Sequence, residues 1–230
     1  MTAQKFLNDV CDMTRMDRED TDDKTRIITW GNFALDEIAR EFDCWFLEVD
    51  FEVTLSASIR RYALPTTDIY SNTGLVVMRM RQKSFRTATG RMPFQPNRET
   101  LDLEDPTWLD TTAEGNPGRV TIVGNFLVFD RIPSSDWIAD NPKLYFSAFR
   151  RAAQMDVDAL STEIADIPAP WHDVISLGAQ YRGEQRQGAK GWGNKREEFY
   201  NAVENMMDKS LPSTDDDDMI NLPYTAAAYR

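Results

Sequence analysis

Both ends of the chain carry apolar residues at helical spacing. Apolar positions recur every three or four residues there, so each segment would present one apolar stripe to a core. Asn194 is the predicted N-cap of the last segment, and the preceding Gly191-Trp192-Gly193 is predicted to form a turn. The predicted helices cover residues 3–13, 24–42, 170–187 and 195–209.

The middle of the chain changes to the two-residue period of strands. From Trp45 to Leu55 apolar residues alternate with mostly polar ones, which predicts a half-buried strand. Gly124-Asn125 lies between two apolar runs and predicts a hairpin turn, because glycine accepts the positive φ that such turns require. Short runs separated by turns favour antiparallel pairing. The further predicted strands cover residues 59–64, 75–82, 119–123, 126–131 and 144–150.

This order of elements predicts an α+β fold, with a small α-helical bundle from the N- and C-terminal segments and a β-rich antiparallel insertion. Residues 1–210 would form one domain, in which helical segments 1–44 and 168–209 flank a β-rich region at 45–150. Beyond it the periodicity ends, and four consecutive aspartates appear. Residues 211–230 are therefore predicted to be an extended, partner-binding tail.

Composition narrows the class of function. Of the 230 residues 41% are hydrophobic, and 26 Lys and Arg stand against 38 Asp and Glu, a net charge of −12. That excess of negative charge argues against nonspecific duplex binding, which depends on neutralising phosphates. No apolar run approaches the roughly 18 residues of a membrane span, and the N-terminus is too polar for a signal peptide. These features predict folding in the cytoplasm without a membrane partner.

Residues with catalytic or metal-binding chemistry are sparse. His172 is the only histidine and is interpreted as a surface residue at a helix start. Cys11 and Cys44 lack the spacing of a redox or metal site and are interpreted as buried thiols. The glycine motifs of nucleotide-binding proteins and hydrolases are absent. These residue types thus predict no metal site and no cofactor.

A carboxylate-pair hydrolase is an alternative from a different class. Glu48, Asp50 and Glu52 would project from one face of the predicted strand, about 6.5–7 Å apart, a separation that an acid and a base could use. Alternation along an amphipathic strand already requires polar residues there. A solvated or interface-facing row is therefore the preferred interpretation.

Charge is segregated along the middle of the chain. Six basic residues and no acid lie between Arg79 and Arg98, and six acids and no base lie from Glu99 to Glu114. An internal salt-bridge network is one explanation. A second is a ring in which the basic surface of one subunit meets the acidic surface of the next. The candidate inter-subunit residues are Arg79, Arg81, Arg86, Glu99, Asp102 and Glu104.

A single-strand nucleic-acid-binding module is a third explanation of the basic half. Phe85 and Phe94 are interleaved with its cations and would offer rings on which bases could stack. The net charge and the adjoining acids argue against it.

Four segments together resemble the head-to-tail adaptor (connector) proteins of tailed bacteriophages, over residues 24 to 209. No single segment is decisive, and their order and spacing carry the resemblance. The segments are Arg61-Tyr62-Ala63-Leu64-Pro65 followed by Thr66-Thr67-Asp68, then Leu103-Glu104-Asp105-Pro106-Thr107-Trp108, then Gly115-Asn116-Pro117-Gly118, and finally Ile167-Pro168-Ala169-Pro170-Trp171-His172-Asp173.

The resemblance implies a structural virion protein without enzymatic activity. Twelve copies would form a ring beneath the portal, extend its DNA channel without specific DNA binding, and offer a docking surface to neck or tail proteins. The location would be the head–tail junction of the virion, after assembly in the bacterial cytoplasm. Leu222, Tyr224 and Tyr229 are matched to portal binding. A lower-ring stopper or a tail-completion protein of the neck is the nearest alternative.

Overall fold

The computed structural model describes residues 1–110, 112, 114–164 and 166–210. They divide into two compact units. The first joins Met1–Phe46 to the described residues from Ala152 onward, and the second is Leu47–Arg151. The predicted tail 211–230 lies outside the described residues.

Helices occur at both ends of the described chain, and the region between them consists mostly of strands. The helices are α1 (Ala3–Thr14), α2 (Thr21–Glu41), α3 (Arg98–Glu104), α4 (Ser135–Asp140), α5 (His172–Arg186) and α6 (Trp192–Ser210). The strands are β1 (Glu48–Thr54), β2 (Arg61–Ala63), β3 (Val77–Met80), β4 (Arg86–Thr87), β5 (Gly90–Arg91), β6 (Glu114–Gly115), β7 (Val120–Val123), β8 (Phe126–Phe129), β9 (Ile132–Pro133) and β10 (Lys143–Arg150).

The first unit is a helical bundle around a buried apolar core. The Asp20 side chain accepts hydrogen bonds from the backbone N–H groups of Asp22 and Asp23, so α2 begins at Thr21, three residues before its predicted start. The apolar stripes of the helices supply the core. Its members include Phe6, Leu7, Val10, Ile27, Leu35, Ile38, Ile175, Phe199, Val203 and Met206.

Glycines allow α5 to approach α2 closely. A Cβ placed on Gly178 would lie 2.5 Å from the Cβ of Ala34, and one on Gly183 would lie 2.7 Å from the ring of Trp30. Neither distance is compatible with a real side chain, because packed interiors leave no spare volume. The close contact of these two helices therefore requires glycine at both positions.

One carboxylate is buried in this bundle with its partners. Glu37 is 5% exposed, and it accepts hydrogen bonds from Tyr181 Oη, from Tyr200 Oη at 2.8 Å and from Arg182 Nη2 at 2.7 Å. Burial and the bond to Glu37 raise the pKa of the Tyr181 phenol. The network joins α2, α5 and α6. Leaving any of its buried polar groups without a hydrogen-bond partner would cost free energy.

In the second unit β10 is the central strand of the larger sheet. It pairs antiparallel with β1 along one edge and with β3 and β4 along the other, and β4 continues into β5. A second antiparallel sheet has the order β2-β8-β7. The short β6 and β9 pair in parallel.

The core of the second unit lies between these two sheets. Phe51 and Val53 of β1 and Phe146 of β10 bury one face, and residues of β7 and β8 supply the opposite wall. The ring of Phe85 stacks on Phe146 with 5.0 Å between centroids, and Phe146 stacks on Phe51 at 5.5 Å. The residues of the opposite wall include Val120, Leu127 and Phe129.

The α+β fold and the long helices are confirmed, whereas several local predictions are wrong. Residues 45–47 form a 3₁₀ turn and β1 starts only at Glu48, because Phe46 and Leu47 are both buried and do not alternate. The carbonyl of Gly191 accepts from the N–H groups of Asn194 and Lys195, so α6 begins at Trp192. Asn194 is thus inside the helix and does not cap it.

His172 is also not a surface residue. The residue is 6% exposed, with Nε2 2.7 Å from the carbonyl of Ile167 and Nδ1 2.7 Å from the backbone nitrogen of Met1. Burial lowers the pKa of the imidazole. The contacts give this histidine a structural position in the helical unit.

Replacing Gly178 with alanine should lower the free energy of unfolding by about 1–3 kcal/mol, because the added methyl group overpacks the contact with Ala34 and Phe199. Urea titration followed by circular dichroism measures the change. Gly193→Ala is the matched control, since nothing lies within 4 Å of that Cβ position, and it should be neutral or slightly stabilising. Equal effects of the two changes would contradict the close approach.

The raised pKa of Tyr181 predicts a loss of stability at alkaline pH. Above about pH 10 the unfolded chain releases this phenolic proton while the folded chain retains it, so the free energy of unfolding falls as pH rises further. Urea titrations at a series of alkaline pH values should show a shallower fall for Tyr181→Phe. The exposed Tyr70→Phe should follow the unmodified chain, and an unchanged slope for Tyr181→Phe would refute the assignment.

Candidate assembly surface

The face of the larger sheet that points away from its core carries the acidic row predicted from the sequence. Glu48, Asp50 and Glu52 alternate with the buried residues of β1. Each has a partner on the same sheet: Glu48 Oε1 lies 2.9 Å from Arg81 Nε, Asp50 accepts from Ser147 Oγ, and Glu52 accepts from Lys143 Nζ at 2.8 Å. The bond to Glu52 raises the pKa of the Lys143 ammonium.

The three predicted arginines lie on this same face, across β10. The guanidinium of Arg79 is 4.8 Å from the ring centroid of Phe149, that of Arg81 is 5.6 Å from it, and that of Arg86 is 5.9 Å from the ring of Tyr145. These are cation–π contacts. The face, called the charged face below, thus has an acidic row on β1 and cations on the side of β3 and β4, separated by β10.

This arrangement bears on the hydrolase alternative. A carboxylate pair that hydrolyses a glycoside keeps one acid and one base directed at the substrate. On the charged face each carboxylate instead meets a cation or a hydroxyl group, on β10 or directly after β3. The contacts match the polar side of an amphipathic strand, the interpretation that the sequence favoured.

The single-strand alternative relied on Phe85 and Phe94, and its prediction for Phe85 is wrong. Phe85 is 0% exposed, and its ring stacks on Phe94 with 4.8 Å between centroids. Phe94 itself is half-buried against the same core. Phe85 cannot receive a base, because the core of the second unit already covers it.

The first three acids of the acidic half lie in α3, a helix that the sequence analysis missed. The Asn97 side chain caps the helix by accepting from the N–H of Glu99. Asp102 accepts from Trp108 Nε1 at 2.7 Å and lies 3.3 Å from Arg98 Nε. Glu104 lies 2.6 Å from Arg119 Nη2, and this contact lowers the pKa of Glu104. The sequence signal that could have predicted this helix was an N-cap residue followed by three acids.

The six predicted inter-subunit residues therefore fall on two separate features. Arg79, Arg81 and Arg86 belong to the charged face, whereas Glu99, Asp102 and Glu104 belong to α3. Within the described part of the chain, the ion pairs of these acids involve Arg98 and Arg119 and none of the three arginines. Leu222, Tyr224 and Tyr229, predicted to bind the portal, lie outside the described residues.

The comparison with protein families adds a match over almost the whole chain. The sequence model of the SU10 adaptor protein family matches residues 1–227. The chain belongs to this family. A search of curated proteins found no match.

The family is one of structural phage adaptors. Among the residues that the structure describes, no group of three His, Cys, Asp or Glu side chains is arranged to hold a metal ion. Over the same residues no helix has both the length and the apolar character needed to cross a bilayer.

The stability of this adaptor's second unit should depend on its ring stack far more than on the charged face. Phe146→Ala should lower the free energy of unfolding by about 3–5 kcal/mol, because it leaves a cavity between Phe51 and Phe85. Urea titration measures the loss. Glu52→Gln removes the charge from a partly exposed ion pair at the surface and should leave the midpoint nearly unchanged. A larger loss for Glu52→Gln would mean that the charged face organises the fold.

Proposed function

We propose that this chain is a non-catalytic head-to-tail adaptor that docks on the portal, and that twelve copies form a ring that extends the DNA channel. The observation that carries the proposal is the family match, which covers residues 1–227. In the virion the ring would lie at the neck and would offer its far side to the next neck or tail protein. Assembly would take place in the cytoplasm of the bacterial host.

The charge of the chain supports a channel that lets DNA pass. Each copy carries a net charge of −12, so a ring multiplies a surface that repels phosphates. A tunnel that bound the duplex would retain it, because phosphate contacts with Lys and Arg supply most nonspecific affinity. A negative wall instead leaves the duplex free to slide.

We assign portal attachment to the tail. The family match extends beyond α6 to residue 227, so it includes Leu222 and Tyr224 and stops before Tyr229. Tyrosine anchors bury a large area for few rotatable bonds, which limits the entropy lost on docking. In a ring many tails bind at once, and the resulting effective concentration makes weak single contacts durable.

We assign contacts between neighbouring copies to unlike charged surfaces. Arg79, Arg81 and Arg86 would lie on one side of the contact, and Glu99, Asp102 and Glu104 on the other. Opposite charges on two different patches favour a head-to-tail arrangement, which closes into a ring when the rotation between copies permits.

Deleting residues 211–230 should abolish binding to the purified portal protein of the same phage while leaving the fold intact. Native mass spectrometry of the mixture reports complex and copy number, and thermal unfolding followed by circular dichroism reports the fold. Leu222→Ala/Tyr224→Ala should weaken binding strongly, whereas replacing Asp215–Asp218 with asparagine serves as the control within the tail.

The outcomes separate the parts of the proposal. Absence of any complex between the full chain and the portal would overturn the portal-docking function. Undiminished binding by the deleted chain would remove the tail from the interface. Complexes with a copy number other than twelve would refute the twelvefold ring.

A further inference from the structure

A basic groove lies on the second unit, beside the charged face. It is shallow and open to solvent, and it is lined by the hairpin from Lys83 to Arg91 and by Ser147. The hairpin contains three cations, Lys83, Arg86 and Arg91, and no acid. Among the described residues none of these three side chains forms an ion pair with a carboxylate. Their positive charge is therefore available to a partner.

The hairpin is held in place before any partner arrives. Phe85 anchors its base in the ring stack, and Arg91 Nη2 donates to the carbonyl of Lys83 at 2.9 Å. At its tip the N–H and the hydroxyl of Thr89 both donate to Oδ1 of the buried Asn141. A prearranged groove loses little conformational entropy on binding, which favours association.

The same unit carries a feature of opposite character on α3. Leu103 is 84% exposed, and Glu99 lies one helical turn before it on the same side of the helix. Glu99 forms no ion pair within the described part of the chain. An exposed leucine one turn from an acid without an ion pair is a complement to a groove lined by cations.

We propose that the groove binds α3 of a second copy of this chain, with Leu103 entering the groove and Glu99 facing Lys83 and Arg86. The contact adds a specific interface to the proposed ring, and its biological role rests on that ring. A second copy is the occupant because each chain carries both complementary halves. Since the two halves differ, each copy binds one neighbour through its groove and another through α3, and the contact propagates from copy to copy.

The proposal reduces the number of predicted inter-subunit residues that take part in the contact. Asp102 and Glu104 already pair with Arg98 and Arg119, and Arg81 pairs with Glu48. The proposed contact uses Arg86 and Glu99 of the original set and would break none of these pairs. Lys83, Arg91 and Leu103 join them in the contact.

Cross-linking with a bismaleimide tests the contact directly. The natural Cys11 and Cys44 are buried, so cysteines introduced by Thr87→Cys in the groove and Leu103→Cys on α3 supply the reactive thiols. The double variant should give a ladder of covalent dimers, trimers and larger species. An equimolar mixture of the two single variants should give only dimers that contain one chain of each kind.

Charge reversal tests the pairing. Arg86→Glu and Glu99→Lys, each introduced into the double-cysteine chain, should each reduce the ladder about tenfold, because like charges then meet. Mixing the two variants should restore it, since alternating chains place opposite charges at every contact. Lys190→Glu, an exposed reversal on the first unit, is the matched control and should leave the ladder unchanged. Tyr70→Cys in place of Leu103→Cys should give no ladder.

Reactions with and without the portal protein distinguish this contact from the proposed function. A missing ladder under both conditions, or no recovery in the mixed sample, would overturn the contact even if the chain binds the portal. A ladder from a chain that fails to bind the portal would support the contact and overturn the portal-docking function.

Discussion

The alternation of side chains along β10 is the constraint on which the second unit depends. Leu144, Phe146 and Ala148 point into the core, while Tyr145 and Ser147 point to the charged face. Because the period is two, a slip of one residue in the pairing with β1 would exchange the two sets. The apolar core therefore fixes the register, and the register in turn places Glu48 beside Arg81.

The first unit depends on close helix packing and on a buried charge. Its helices approach closely where glycine replaces a side chain, and one carboxylate is buried among them with two tyrosines and an arginine. Burying a charge costs free energy unless every partner is present. Such a cluster contributes little net stability, and we expect its role to be selecting one packing of α2, α5 and α6.

The sequence predicted the parts of this fold that follow from local periodicity. The stripes of α2 and α5 and the alternation in β1 each span many residues, so the pattern identified these elements although not all of their first residues. The seven residues of α3 offered too few turns for a stripe, and the parallel pairing of β6 with β9 left no local trace. The pairing of Glu48 with Arg81 depends on strands that are distant in sequence, so charge segregation indicated a surface without identifying its partners. His172 was misplaced because burial is a property of the packed bundle.

The connection between the hairpin and α3 is short and tied to the sheet. The N–H of Gln95 donates to the carbonyl of Val120, and Phe94 forms a bridge with the same residue. These contacts attach the linker between the groove and α3 to the sheet of the second unit. In a ring, the angle between the groove and α3 would set how many copies close the circle. The copy number would then depend on the six-residue linker at 92–97 and not on the strength of any one contact.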